Sequence, residues 1–125
     1  MENIILVGAG GFFGSVFRYV LGGWVYSLIR TPLFPYGTLA VNLLGSFLIG
    51  FLGGLSESRQ VFSPESRLFL FIGVLGGFTT FSSFGFETFA LARDGEMLAA
   101  AGNILAQVVF GLGAVWLGNV LSRFL

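Results

Sequence analysis

Leu75-Gly76-Gly77-Phe78-Thr79-Thr80-Phe81-Ser82-Ser83-Phe84-Gly85-Phe86-Glu87 closes a run that carries no charge after Arg67. A run of that length supplies the roughly 20 residues a helix needs to cross a bilayer. Two adjacent glycines in its middle, followed by two β-branched threonines, weaken the helix at bilayer depth. Unwound backbone is tolerated there only where it is buried in protein or lines a cavity. A break frees carbonyls at the end of the first half-helix and N–H groups at the start of the second. Those are, respectively, a cation site and an anion site. A Gly-Gly kink that only eases packing explains the segment equally well.

The rest of the chain repeats the pattern. Of 125 residues, 55% are hydrophobic and 10% charged, against about 25% charged in soluble domains. No charge falls between Arg30 and Glu57 or between Glu96 and Arg123, and the stretch Ile4 to Ile29 is broken only by Arg18. We place spans at 3–29, 36–55, 66–92 and 97–122. The expectation is an all-α membrane protein, a single four-helix transmembrane domain over 1–125 with a broken third helix. Strands fit poorly, since spanning strands alternate apolar and polar residues in segments of about ten. Ser63-Pro64-Glu65 resembles a helix start, with Ser63 as cap. Arg93-Asp94-Gly95-Glu96 is a tight polar turn, and two prolines mark the connection Arg30 to Tyr36. The first span reads as retained rather than as a cleaved leader, because Glu2 replaces a basic start and no small-residue cleavage site follows.

Several function classes drop out. There is no cysteine, histidine or lysine, so thiolate or imidazole metal sites and a histidine-based triad are excluded. A net charge of zero without a basic run gives no footprint for nucleic acid. No nucleophile–base set points to an enzyme. Gly8-Ala9-Gly10-Gly11-Phe12-Phe13-Gly14 misses the dinucleotide spacing and follows no strand. Small residues one turn apart, at Gly10 and Gly14, Gly50 and Gly54, and Ala114 and Gly118, predict close helix packing.

Individual residues carry the candidate chemistry. Phe81 and Phe84, three apart, share a helix face, and their positive ring edges can help a dehydrated anion; packing against lipid or core is the plain alternative. Ser82, Ser83, Thr79 and Thr80 offer hydroxyls, which in membrane helices often only bond their own backbone. Asn42 lies mid-span with Thr38 four residues earlier, and reads as interhelical glue or as a donor lining a pore. Arg18 is ionisable inside a span, facing the interior, a wet cavity or the interface by snorkelling, with Glu87 as its candidate partner. Orientation is undecided: an intracellular N-terminus puts Arg59, Arg67 and Arg123 inside and Arg30 and Arg93 outside. Either one extra arginine suffices, or copies insert both ways and pair as an antiparallel dimer.

Three stretches together resemble the Fluc/CrcB family of fluoride channels: Gly10 to Tyr19, Gly37 to Asn42 with Gly45, and Gly76 to Phe84 with Glu87. Length and the four-span layout agree. The resemblance implies a passive, fluoride-selective channel exporting cytoplasmic fluoride, in the cell (inner) membrane. It implies an antiparallel, dual-topology homodimer with two pores. It implies that Phe81, Phe84 and Asn42 line the ion path, with Ser82, Ser83 and Thr38 as hydroxyls near it and Arg18 at the wide entrance. The carbonyls of Gly76 and Thr79 from both subunits are expected to hold a structural sodium ion. Along the fourth span, Asn103, Gln107 and Gly111 stand where members often carry Tyr or Ser hydroxyls, which leaves that side of the path open. Two rivals stand beside this reading. A proton-coupled multidrug exporter wants a glutamate in its first span, where this chain has Arg18; a scaffold subunit would transport nothing.

Overall fold

The computed structural model describes residues 1–30 and 33–125; Pro32, one of the two prolines of the first connection, lies outside them. Helix α1 is Glu2–Leu28 and α2 is Tyr36–Arg59. The third hydrophobic segment, Pro64–Arg93, consists of α3 (64–78), two extended residues, and α4 (Phe81–Arg93). Helix α5 is Met97–Ser122. No strand forms among the described residues. Four segments are long and apolar enough to span a membrane, so the chain is a multi-pass membrane protein.

Local chemistry sets the ends. Ser63 caps α3, its hydroxyl accepting from Ser66 N–H at 3.1 Å, and Pro64 takes the first helical position, where its missing N–H costs nothing. Between α4 and α5 the backbone closes with Glu96 N–H on the Leu91 carbonyl at 2.8 Å and Gly95 N–H on the Ala92 carbonyl at 3.1 Å. That pairing is a Schellman motif, which wants a left-handed residue after the helix, and Gly95 supplies it at φ 82°. Helix α2 runs beyond residue 55 to Arg59. Glu57, Ser58 and Arg59 read as loop because they are polar, yet polar residues continue a helix freely once it leaves the hydrocarbon, and Ser58 Oγ donates to the Gly54 carbonyl at 2.8 Å.

Two helix pairs carry the packing. Helix α1 lies against α3, where a Cβ on Gly10 or Gly14 would run into the backbone of residues 69–78; Gly77 approaches the Gly11 carbonyl in the same seam. Helix α2 lies against α5, where Gly50 meets Val115 and Gly118 meets Phe47, backbone to backbone. Lipid removes most of the hydrophobic drive between helices, so this close approach is what dispersion needs. Two stretches wind more widely than an α-helix, Leu68–Leu75 in α3 and Ala106–Phe110 in α5. Such π turns rotate the side chains that follow, and they cluster at functional sites.

The α1–α3 seam has a direct test. Gly14→Ala sets a methyl against the Val74 carbonyl and should destabilise the fold by about 1–3 kcal/mol, as overpacking does. Gly8→Ala, with nothing within 4 Å of the added carbon, should be silent. Thermal unfolding in detergent distinguishes the two.

Candidate functional site

The site begins where α3 stops. Thr79 (φ −81°, ψ 156°) and Thr80 (φ −146°, ψ 116°) are extended, and helix resumes at Phe81. The two glycines before them remain helical. Gly76 has φ −62° and ψ −38°, and Gly77 serves the α1 seam, so the opening falls on the threonines. β-Branched residues favour extended backbone, and each threonine hydroxyl offers a local alternative to the helical bond. Thr79 Oγ1 donates to the Leu75 carbonyl at 3.0 Å, and Thr80 Oγ1 accepts from Ser83 N–H at 3.1 Å, capping α4.

Asn42 of α2 holds the opening. Its Oδ1 accepts the Thr80 N–H at 2.9 Å and its Nδ2 donates to the Thr80 carbonyl at 3.0 Å. The side-chain amide thus pairs with Thr80 as a neighbouring strand would. The second Nδ2 hydrogen goes to Gln107 Oε1 on α5 at 3.0 Å. One side chain therefore ties three elements together with its donors fully used. Gly45, one turn on, makes this possible: a Cβ there would strike Thr79 Cγ2 and lie 3.3 Å from the Phe78 ring.

Beside the clasp lies a cleft of about 370 Å³ whose wall includes Asn42, Ser46, Thr79, Phe81, Phe84 and Gln107. Gly76 lines it too, and no ionisable residue does. The rings of Phe81 and Phe84 are 5.4 Å apart at 63°, edge to face; Phe81 is 82% exposed on this protomer. Both π turns contribute, Phe71 and Leu75 from one and Gln107 and Val108 from the other.

The other expected residues are distributed around this centre. Ser82 and Ser83 stand at the start of α4, their hydroxyls 3.3 and 3.0 Å from Thr80 Oγ1, outside the cleft wall. Thr38 lies in a second cleft of about 440 Å³ with Tyr26, Phe34 and Glu87, and donates to Glu87 Oε1 at 2.7 Å. Glu87 does not pair with Arg18. The Arg18 guanidinium reaches the Thr79 carbonyl at 3.4 Å instead, one of the groups released by the opening.

Sequence reasoning passed over Ser46, and saw Gln107 only as a departure from a pattern. The signal for Ser46 was its place four residues after Asn42, on the same face. Asn103 stood out only through the same departure: it is fully buried and donates to Thr88 Oγ1 at 2.9 Å, while Thr88 donates to the Phe84 carbonyl at 2.7 Å. That relay fixes the Phe84 turn of α4 on α5.

Against known proteins, the family model described as "CrcB-like protein, Camphor Resistance (CrcB)" matches residues 5–119. Three similar proteins bear the name "Fluoride-specific ion channel FluC". That of Geotalea daltonii is 46% identical over 125 residues, all of this chain and all of the relative. That of Chlorobium chlorochromatii is 49% identical over 98% of this chain and 94% of its own length. That of Agrobacterium fabrum is 52% identical over 98% of each.

The clasp makes a stability prediction independent of transport. Asn42→Asp keeps an acceptor for Thr80 N–H but loses both donors, leaving the Thr80 carbonyl and Gln107 Oε1 against a carboxyl group. An unsatisfied buried group costs about 1–3 kcal/mol, so the variant should unfold at lower temperature. Asn42→Asp with an unchanged melting temperature would show the clasp contributes nothing.

Proposed function

This chain belongs to the CrcB family, and from that premise we propose that it is a fluoride-selective channel, exporting fluoride passively down its electrochemical gradient. The observation that carries the reading is the cleft itself, where two phenyl rings stand beside amide and hydroxyl groups with no ionisable residue in the wall. Fluoride is small and strongly hydrated, so a pore must replace its water with donors or positive dipoles. Ring edges and hydroxyl groups do this weakly enough for the ion to leave. A lysine would hold it, and the chain has none. Fluoride enters cells as a neutral weak acid and ionises in the cytoplasm, so an anion leak driven by membrane potential clears it.

Within that reading each element has a task. Asn42 keeps the Thr79–Thr80 backbone open and joins it to α5. Phe81 and Phe84 supply ring edges to the ion, and the Ser82 and Ser83 hydroxyls at the start of α4 lie near its route. Thr38 lies further along with Glu87, and Arg18 attracts anions toward the wide mouth.

The functional unit in this proposal is an antiparallel, dual-topology homodimer with two pores. Its support is the near-even split of arginines between the two sides of the spans and the exposure of Phe81 on the single protomer. A structural sodium ion fits the backbone at its centre. Thr80 N–H donates to Asn42 rather than to the Gly76 carbonyl, and Ser83 N–H to Thr80 Oγ1 rather than to the Thr79 carbonyl. Both carbonyls are thereby free of their helical donors, and neutral oxygens suit a hard cation. Gly76 and Thr79 of both subunits would hold it, and its charge would fix the dimer centre. Arg18 then has to share or yield the Thr79 carbonyl.

Purified protein in liposomes tests the activity. A fluoride electrode should record fast, voltage-sensitive efflux that excludes chloride, cut by at least about tenfold in Phe81→Ile and Phe84→Ile, which keep apolar bulk but lose the ring edges. Chloride efflux at a comparable rate would refute the proposal. The topology has its own measurement. The chain lacks cysteine, so Asp94→Cys carries one thiol in the α4–α5 turn. A membrane-impermeant maleimide applied to sealed cells should label about half the copies, and labelling near none or all would mean a single orientation.

A further inference from the structure

Helices α4 and α5 form a hairpin closed by the Gly95 turn, and α4 packs mainly against the first part of α5, Met97–Leu105. Away from the turn come the buried residues Leu91 and Ala100. Beyond them Asn103 Nδ2 donates to Thr88 Oγ1 at 2.9 Å. Among the described residues this is the only side-chain hydrogen bond between the two helices. One helical turn further stand Phe84, four residues before Thr88, and Gln107, four after Asn103. Both belong to the wall of the cleft, one from each helix.

Stability does not explain this bond. Asn103 is fully buried, and its Oδ1 has no donor among the described residues. Burying an amide for one hydrogen bond is a poor exchange, because apolar groups of the same shape replace such a pair at little cost. What the bond supplies is position, since its length and direction are narrowly constrained. Thr88 passes that position along α4. Its Oγ1 donates to the Phe84 carbonyl at 2.7 Å, and a back-bond of this kind sets the local bend of a helix. The other end of the stretch is fixed by the Asn42–Thr80 clasp. Phe81 and Phe84 lie between these two attachments.

We propose that the Thr88–Asn103 bond is a strut that sets the width of the halide cleft, which makes both residues specificity-determining although neither touches the ion. Neither is part of the cleft wall. The inference rests on the channel reading and says how its selectivity is held. Halides share one charge and differ in radius, so a cleft without ionisable groups rejects chloride only if its walls do not part. The distance from the Phe84 turn of α4 to the Gln107 turn of α5 is one such dimension. A strut one turn away resists its growth. A hydrogen bond favours the spacing it fits over a wider one by up to about tenfold.

The experiment compares chloride and fluoride efflux from liposomes, with melting temperature in detergent, for wild type, Thr88→Ser, Thr88→Val and the double variant Thr88→Val with Asn103→Leu. Thr88→Ser keeps the hydroxyl and should keep the wild-type ratio of chloride to fluoride rate. The double variant removes both partners together. It should melt no lower than wild type, still pass fluoride, and raise the ratio about tenfold. Thr88→Val leaves the Asn103 amide buried without its partner, so it should raise the ratio as much and also melt lower. A wild-type ratio in the double variant would overturn the strut, as would a wild-type ratio in Thr88→Val should the double variant not fold. A raised ratio in Thr88→Ser would overturn it too, by tracing selectivity to the threonine methyl rather than to the bond. If wild type itself passes no fluoride, or passes chloride as fast, the channel reading fails, a result distinct from these because it precedes any substitution.

Discussion

Inside a bilayer no water is available to an exposed peptide group, and each unpaired N–H or C=O costs several kcal/mol. The Thr79–Thr80 opening exists only because that demand is met by side chains. A single asparagine amide matches a peptide group in both donor and acceptor, so Asn42 can answer Thr80 on both sides as a strand neighbour would. The threonine hydroxyls answer the flanking turns. Once these bonds are in place, the rest of the site has its position: the start of α4, the Phe81–Phe84 ring pair that follows it, and the two carbonyls released from helical pairing.

The glycines belong to the same argument at one remove. An opened backbone needs neighbours close enough to reach it, and close neighbours require missing side chains. Gly10, Gly14 and Gly77 bring α1 onto α3 just before the opening, while Gly45 lets α2 meet Thr79. Gly50 and Gly118 bring α2 and α5 together as closely further along the bundle, so the opening sits between two tight helix pairs. Elsewhere its surface is large and apolar, as suits lipid or a second copy. The sole ion pair among the described residues joins the exposed neighbours Arg93 and Asp94. Exposed pairs of this kind contribute little, so packing and hydrogen bonding carry the stability.

Much of this was legible in the sequence, for identifiable reasons. Charge-free runs mark spans because burying an arginine or glutamate in hydrocarbon is expensive. Ser63-Pro64 marks a helix start because both residues solve the same shortage of N–H partners. The weak point in the third span was legible too, as the stretch from Gly76 to Thr80; within it the glycines stay helical and the threonines open. Glycine propensity describes an isolated helix, and here tight packing of Gly77 on α1 keeps the segment helical up to Phe78. The Asn42–Thr80 clasp, the Arg18–Thr79 contact and the Glu87–Thr38 bond join residues 38 to 61 positions apart. No local pattern encodes such pairings. The two π turns were equally invisible, since they shift register without changing composition.

That register shift explains why the α5 wall of the cleft has the character it does. A regular α-helix through Ala106–Phe110 would point Gln107 at a different angle, and the hydrogen bond from Asn42 would have to be made elsewhere. With the wider turn, one end of the Gln107 amide completes the clasp while the other remains unspent. An amide can do both, because its acceptor and its donors sit on a single planar unit. A hydroxyl at the same position would accept from Asn42 and then have a single hydrogen left. Gln107 has two, and so α5 gains donor capacity at the point where the backbone opening and the aromatic edges already converge.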